Sequence, residues 1–400
     1  MDKYRIRRVV IAFYAAKVLS MHITLTFGVY VLMLKHSGLN YIEINAVNTC
    51  FMIAIFLFEV PTGSYADAFG HKKSFVAGLL IEGVALLIFF LGNSFWHFVL
   101  AEVTAAFGAA LQSGSLDAWA VNKFRQYGWK NGYAKLFSRA YVLERLATLA
   151  LAWVGAKIGH HLGLSWPYLI AGFLAFFSAA ILWRLLDDGE EPCRQTEPHR
   201  WQEFKNNIAE GRRIIVANKK LALLFGVCFT VSMMVQPINM QWSVLYEIRF
   251  NTTDLSTPVF FQVLGTILGA GLVVEFCRRV KSMATQLMLV GLAIGTTIMV
   301  VPIPRDWGMF MAVLFVHEIP RGMLMPLQAS WVGELVQDDK RRATVNSYFG
   351  MLWTLAAGAG LMISGFWAQW YGIRITWQVI AAVGMVTLAL FLAFSSRKRT

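Results

Sequence analysis

The chain has 400 residues, of which 57% are hydrophobic and only 15% charged, with a mean hydropathy of +0.54. Soluble domains hold about 25% charged residues and about 45–50% apolar ones, so this balance excludes a water-soluble globule and leaves an integral membrane protein. The net charge of +13, from 36 Lys and Arg against 23 Asp and Glu, reads as the basic loading of loops on one membrane face rather than as a nucleic-acid surface.

A spanning helix needs about 20 mostly apolar residues. Twelve segments meet that requirement. Spans 1 to 6 are expected at 9–33, 42–64, 75–92, 96–120, 138–160 and 165–186. Spans 7 to 12 are expected at 219–244, 256–278, 283–303, 307–333, 344–370 and 374–394. The basic stretch Tyr4–Arg8 precedes a long apolar run without a small-residue cleavage site, so no cleavable signal is expected. The organisation is therefore a six-helix bundle at 1–186, a linker at 187–218 and a second six-helix bundle at 219–400. Trp201 to Val216 within the linker reads as an amphipathic helix lying on the membrane. Cys50, Cys193, Cys228 and Cys277 have no paired spacing, which predicts neither a disulfide framework nor a metal site.

Lys and Arg fix the orientation. With both termini inside, the inward segments carry 28 basic residues and the outward ones only Lys35, Lys157, Arg249, Arg305 and Arg374. The reading is a multi-pass protein of the cytoplasmic (inner) membrane with both ends in the cytoplasm. The halves also echo each other. Gly63, Asp67, Lys72 and Lys73 close span 2 as Gly271, Glu275, Arg279 and Lys281 close span 8. Parallel six-helix repeats are a transporter architecture.

The segment after span 2 reads Gly63-Ser-Tyr-Ala-Asp67-Ala-Phe-Gly70-His71-Lys72-Lys73, preceded by Phe58-Glu59-Val-Pro61-Thr62. It resembles the signature loop of the major facilitator superfamily, G-x-x-x-D-R-x-G-R-K/R. Ala68 and His71 depart from that pattern, each replacing a basic residue. The lead-in, and Arg342-Ala-Thr-Val-Asn-Ser at the start of span 11, resemble an efflux-type branch. The resemblance implies twelve helices in two bundles related by a pseudo-two-fold axis. It also implies a gating role for Gly63, Asp67, Gly70, His71, Lys72 and Lys73, with Lys72 and Lys73 in the cytoplasmic water. Standard drug antiporters have an arginine in span 4 and a glycine-proline motif in span 5. Here Glu102 stands at the first position, and there is no proline between Thr148 and Leu164.

Each charge in hydrocarbon needs a partner, a watered cavity or a task. Lys17 either meets a substrate anion or pairs with a carboxylate of span 4 or 5; His22 is a satisfied core histidine or a substrate ligand. Glu102 and Asp117 project about 60° apart on a continuous helix and so face one way. Glu102 is the leading proton site, with a structural hydrogen bond to span 1 or 2 as the alternative. Asp117 is expected in a charge network with the Asp67 loop. Glu144 is a further proton candidate, and Arg145 is expected to pair with Asp117 or Glu59, or to hold a substrate carboxylate. In span 10, His317, Glu318 and Arg321 cluster around Pro320, with a bend expected at Pro320 and Pro326. Glu318 and Arg321 are i,i+3 and so form a self-neutralising pair or a site that opens. Gln236, Asn239 and Gln241 are polar cavity candidates. Asn45 and Asn48 line the cavity or are hydrated at the membrane surface.

No phosphate-binding glycine loop, metal cluster or nucleophile elbow is present in the sequence, so no enzyme activity and no cofactor are expected. The energy source is then an ion gradient, with protons favoured over sodium by the carboxylates and histidines. The leading reading is a monomeric proton-coupled antiporter exporting a small amphipathic or anionic compound by alternating access. Its expected partners are that small molecule and the lipid bilayer, with no nucleic acid. Proton-coupled uptake of a polar nutrient, such as a carboxylate or sugar, and a non-transporting receptor or assembly partner are the alternatives.

Overall fold

A computed structural model describes residues 3–129, 132–187 and 200–396. The acidic part of the linker, Lys130 and the C-terminal basic cluster 397–399 lie outside the described residues. Among the described residues every regular element is a helix: α1 (Lys3–Leu19), a 3₁₀ segment (Ser20–Thr26), α2 (Tyr30–His36), α3 (Tyr41–Phe69), α4 (His71–Leu91), α5 (Phe95–Gln112), α6 (Ser115–Gln126), α7 (Ala134–Leu162) and α8 (Trp166–Leu185). Then come α9 (Arg200–Ala217), α10 (Lys219–Met234), α11 (Gln236–Phe250), α12 (Ser256–Arg279), α13 (Met283–Val300), α14 (Trp307–Leu335) and α15 (Asp339–Ser396). Helices dominate because a backbone in hydrocarbon must satisfy its own hydrogen bonds.

Nine helical segments among the described residues are long and apolar enough to cross a membrane. One of them, Thr344–Phe391, is 48 residues long and is broken at Gly372, whose φ of 78° no α-helix contains, so it makes two crossings. The α5–α6 pair and the charged helix α7 supply two more, in agreement with twelve. Three spans differ in detail from the sequence expectation. Span 1 tightens into the 3₁₀ segment at mid-length, where Ser20, Thr24 and Thr26 each donate a side-chain hydrogen bond to the carbonyl three residues earlier. Span 2 runs on through Pro61 to Phe69, so its loop shrinks to Gly70 (φ 98°). Span 4 breaks at Ser113–Gly114, with Gly114 left-handed (φ 69°). The expected bend at Pro320 and Pro326 takes no break in secondary structure, because α14 continues through both.

The chain divides into two compact units: Met1–Ser37, Ile53–Arg200 and Asp254–Ser256 in the first, and Gly38–Met52, Trp201–Thr253 and Thr257–Thr400 in the second. Lipid tails are as apolar as leucine, so packing within each unit depends on close backbone approach at small residues. In unit 1, Gly78 of α4 and Gly108 of α5 cross so tightly that a methyl at Gly108 would meet the Gly78 carbonyl at 2.8 Å. Gly155 of α7 presses on the backbone of Leu25 in the 3₁₀ segment. One end of the unit is closed by Phe13, Trp119 and Phe124, all fully buried. In unit 2, Gly269 of α12 and Gly322 of α14 lie against the backbones of Ile319 and Thr266 respectively.

Candidate functional site

Unit 1 stations three polar groups along its first span. Lys17, at the end of α1, is 3.0 Å from Asp117 of α6 and 3.2 Å from Glu144 of α7. Of the two readings of Lys17, this is the carboxylate pair, and it occupies both acids. Asp117 therefore bonds Lys17 and not, as expected, a network at the Asp67 loop. The 60° phase between Glu102 and Asp117 also fails, because the break at Gly114 resets the helix between them. Arg145 does not take Asp117 or Glu59 as expected. It is exposed and lies over the Tyr141 ring at 4.8 Å, since Lys17 already holds Asp117.

Further along, His22 is buried in the 3₁₀ segment. Its Nδ1 meets the Leu19 carbonyl at 3.0 Å and its Nε2 meets Glu82 Oε2 at 3.3 Å. Gln112 Nε2 donates to the same Glu82 oxygen at 3.0 Å. Glu82 was not among the sequence candidates. Its signal was plain enough: a single carboxylate inside the apolar run His71–Leu91. Beyond it Glu102 of α5, 5% exposed, accepts a hydrogen bond from the Tyr30 hydroxyl. No cation pairs with Glu102 among the described residues. Tyr168 of α8 is buried near it, and its hydroxyl has no hydrogen-bond partner among the described residues.

The signature segment is mostly helical rather than a loop. Gly63 and Asp67 lie in α3, Asp67 in its last turn, and Gly70 joins α3 to α4. Lys73 is exposed and His71 half-buried. Lys72 does not stay in water as expected. It is buried, with its ammonium 4.7 Å above the Trp183 ring, because α4 begins at His71 and turns that side chain inward towards α8.

In unit 2, Arg321 Nη1 donates to Glu318 at 2.7 Å and Nη2 donates to Asn239 Oδ1 of α11 at 2.8 Å. Asn239 in turn donates to Gln236 Oε1 at 3.4 Å, and Gln236 donates to the Ser232 carbonyl at 2.7 Å. His317 is fully buried, its Nδ1 2.7 Å from Thr297 Oγ1. Gln241 is committed to structure: it accepts from Trp377 Nε1 at 2.8 Å and donates to Ser364 Oγ at 2.8 Å. Asn45 is fully buried, under Gly365, with its amide donating to the Tyr41 carbonyl at 2.7 Å. That burial overturns its hydration at the membrane surface. Asn48, three residues on, is half-buried.

A helical chain with paired charges sunk into its apolar crossings defines a polytopic membrane transporter. The family model of the Major Facilitator Superfamily matches residues 12–304 and 253–400, and the chain belongs to that superfamily. Its fold is shared with solved transporters of low sequence identity. A structure of the nucleoside transporter NupG is 15% identical, with a TM-score of 0.78 and coverage of 99% of this chain and 100% of that one. The human organic anion transporter MFSD10 is 15% identical, with a TM-score of 0.66 and coverage of 96% and 99%. A bacterial homolog to the human lysosomal transporter Spinster is 15% identical, with a TM-score of 0.69 and coverage of 99% and 96%.

Proposed function

We propose that this chain is a proton-coupled secondary transporter, working by alternating access and exporting a small amphipathic or anionic compound across the cytoplasmic membrane as a monomer. Both termini lie in the cytoplasm in this reading, which the 28-to-5 split of basic residues supports. The observation that carries it is Glu102: a carboxyl 5% exposed in α5, bonded to the Tyr30 hydroxyl and, among the described residues, to no cation. A hydroxyl partner does not commit the carboxyl to its charged form as a lysine would, so the group can take up and release a proton. Arg145 supports the anionic class of cargo. It is an exposed cation on a spanning helix with no carboxylate partner among the described residues, and a charge so placed must face water or substrate rather than lipid.

Untargeted mass spectrometry of cells and medium, with and without the gene, identifies the cargo. Export predicts a compound retained in deletion cells and missing from their medium. Proteoliposomes loaded with that compound then test coupling: Glu102→Gln should lose gradient-driven transport by about 10-fold or more while keeping substrate exchange, the size expected for a positioned proton-transfer group. A compound left in the medium and depleted in the deletion cells would reverse the direction to uptake. Full gradient-driven transport in Glu102→Gln would remove Glu102 as the coupling group.

A further inference from the structure

His22 and Glu82 form a contact that the transport reading above does not use. They come from different elements, the 3₁₀ segment and α4, and are 2% and 6% exposed. The hydrogen-bond geometry fixes where a proton can sit. His22 Nδ1 lies 3.0 Å from the Leu19 carbonyl oxygen, which also accepts from Ser178 Oγ at 3.0 Å. A carbonyl oxygen only accepts, so Nδ1 carries a hydrogen and Nε2 is the variable position. Nε2 faces Glu82 Oε2 at 3.3 Å. With no hydrogen between them, a nitrogen lone pair would face a carboxylate oxygen in an apolar interior, and the buried anion would be uncompensated. With one, the pair is neutral overall, whether the proton rests on the imidazole or on the carboxyl.

Gln112 holds this arrangement in place. Its Nε2 donates to Glu82 Oε2 at 3.0 Å, and its side chain packs into the space left by Gly78 at the α4–α5 crossing. The other charged and titratable groups on the packed elements are engaged elsewhere or stand apart. On one side are Lys17 with Asp117 and Glu144, and on the other are Tyr30 with Glu102, and Tyr168. α7 adds Arg145 over Tyr141, and Lys157 paired with Asp254.

We infer that His22 and Glu82, clamped by Gln112, form a proton-binding site of their own inside unit 1, separate from Glu102. Its use in transport rests on the proton-coupled reading, whereas the binding of the proton does not. The ligand is the proton, taken up from water and carried by either Nε2 or Oε2, which lie 3.3 Å apart as an ion-pair contact rather than a hydrogen bond.

The test uses the purified full-length protein in lipid nanodiscs without substrate, with the proton as the probe. Infrared difference spectra are taken between about pH 5 and about pH 8, the range in which histidine side chains titrate. The expected wild-type result is a histidine ring band and a carboxyl band that change together. Both should disappear in Glu82→Gln, and total proton uptake measured with a pH dye should fall in that variant. Gln112→Leu should move the midpoint of the same bands without abolishing them. Melting curves establish that each variant is folded, and His22→Gln serves where Glu82→Gln is not. Bands and uptake unchanged in a folded Glu82→Gln overturn the site, as do bands that vanish in Glu102→Gln instead. Gradient-driven transport with unchanged uptake in Glu82→Gln sinks the site and leaves the function standing. Uptake lost in Glu82→Gln, beside wild-type transport that ignores the proton gradient, keeps the site and overturns the function.

Discussion

Lys17 shows how a single half-buried cation can order its surroundings. It serves two carboxylates at once, so the cluster it makes carries one surplus negative charge. Removing the lysine leaves both acids without a cation, whereas neutralising one acid leaves a balanced pair with the other. Lys17→Ala should therefore lower stability by about 1–3 kcal/mol, the cost of stranding part-buried polar groups. Asp117→Asn should cost about 1 kcal/mol or less, because Asp117 is 46% exposed and water screens its share. Thermal unfolding of the two variants in detergent checks the order; Asp117→Asn as the more damaging change would mean that Lys17 is not the centre of the cluster. At this scale the sequence was partly legible. It identified Lys17, Glu102 and the Glu318–Arg321 pair, because a charge in an apolar run declares itself and an i,i+3 spacing fixes its neighbour. It did not identify Glu82 or its contact with His22, because 60 residues separate them and only the fold closes that distance.

Among the elements, the crossing of α7 over the 3₁₀ segment is one of the two tightest, beside that of α12 and α14. A methyl added at Gly155 would overlap the Leu25 carbonyl, and backbone cannot swing aside as a side-chain tip can. Gly155→Ala should cost about 1–3 kcal/mol of stability and slow transport, the usual penalty for overpacking a fitted contact. Melting temperature and turnover, measured beside Gly350→Ala, where a methyl meets nothing, separate this local effect from a general loss of helix. An unaltered melting curve for Gly155→Ala would show that the two backbones have room to part. Spans as such were readable from apolar length. The interruptions were not: Ser20, Thr24 and Thr26 are ordinary span residues until their hydroxyls bond backward, and Ser113–Gly114 breaks span 4 without disturbing its hydropathy. That is why the phase drawn between Glu102 and Asp117 did not survive.

For the whole molecule, the distribution of Lys and Arg makes a prediction that no single contact carries. In a cysteine-free background, with Cys50, Cys193, Cys228 and Cys277 replaced, a membrane-impermeant thiol reagent should label Lys35→Cys in intact cells. It should label Arg278→Cys only after permeabilisation. The opposite pattern would invert the proposed topology and with it the direction assigned to transport. The superfamily was legible at this scale because a glycine, an acid four residues on and a basic cluster close both span 2 and span 8, between long apolar runs. The cargo was not legible, since its recognition depends on how exposed groups such as Arg145 are presented, which residue order alone does not encode.

The 3₁₀ segment also acts as a vernier on the first span. A 3₁₀ turn advances about 2.0 Å and 120° per residue, against about 1.5 Å and 100° in an α-helix. Over the seven residues Ser20–Thr26 the difference amounts to about 3.5 Å of length and about 140° of rotation. Were the segment wound as α-helix, Tyr30 would be drawn back towards Lys17 and turned away from Glu102. The register between the two ends of the first span is thus set by the gauge of its middle, and the hydroxyls of Ser20, Thr24 and Thr26 are what fix that gauge.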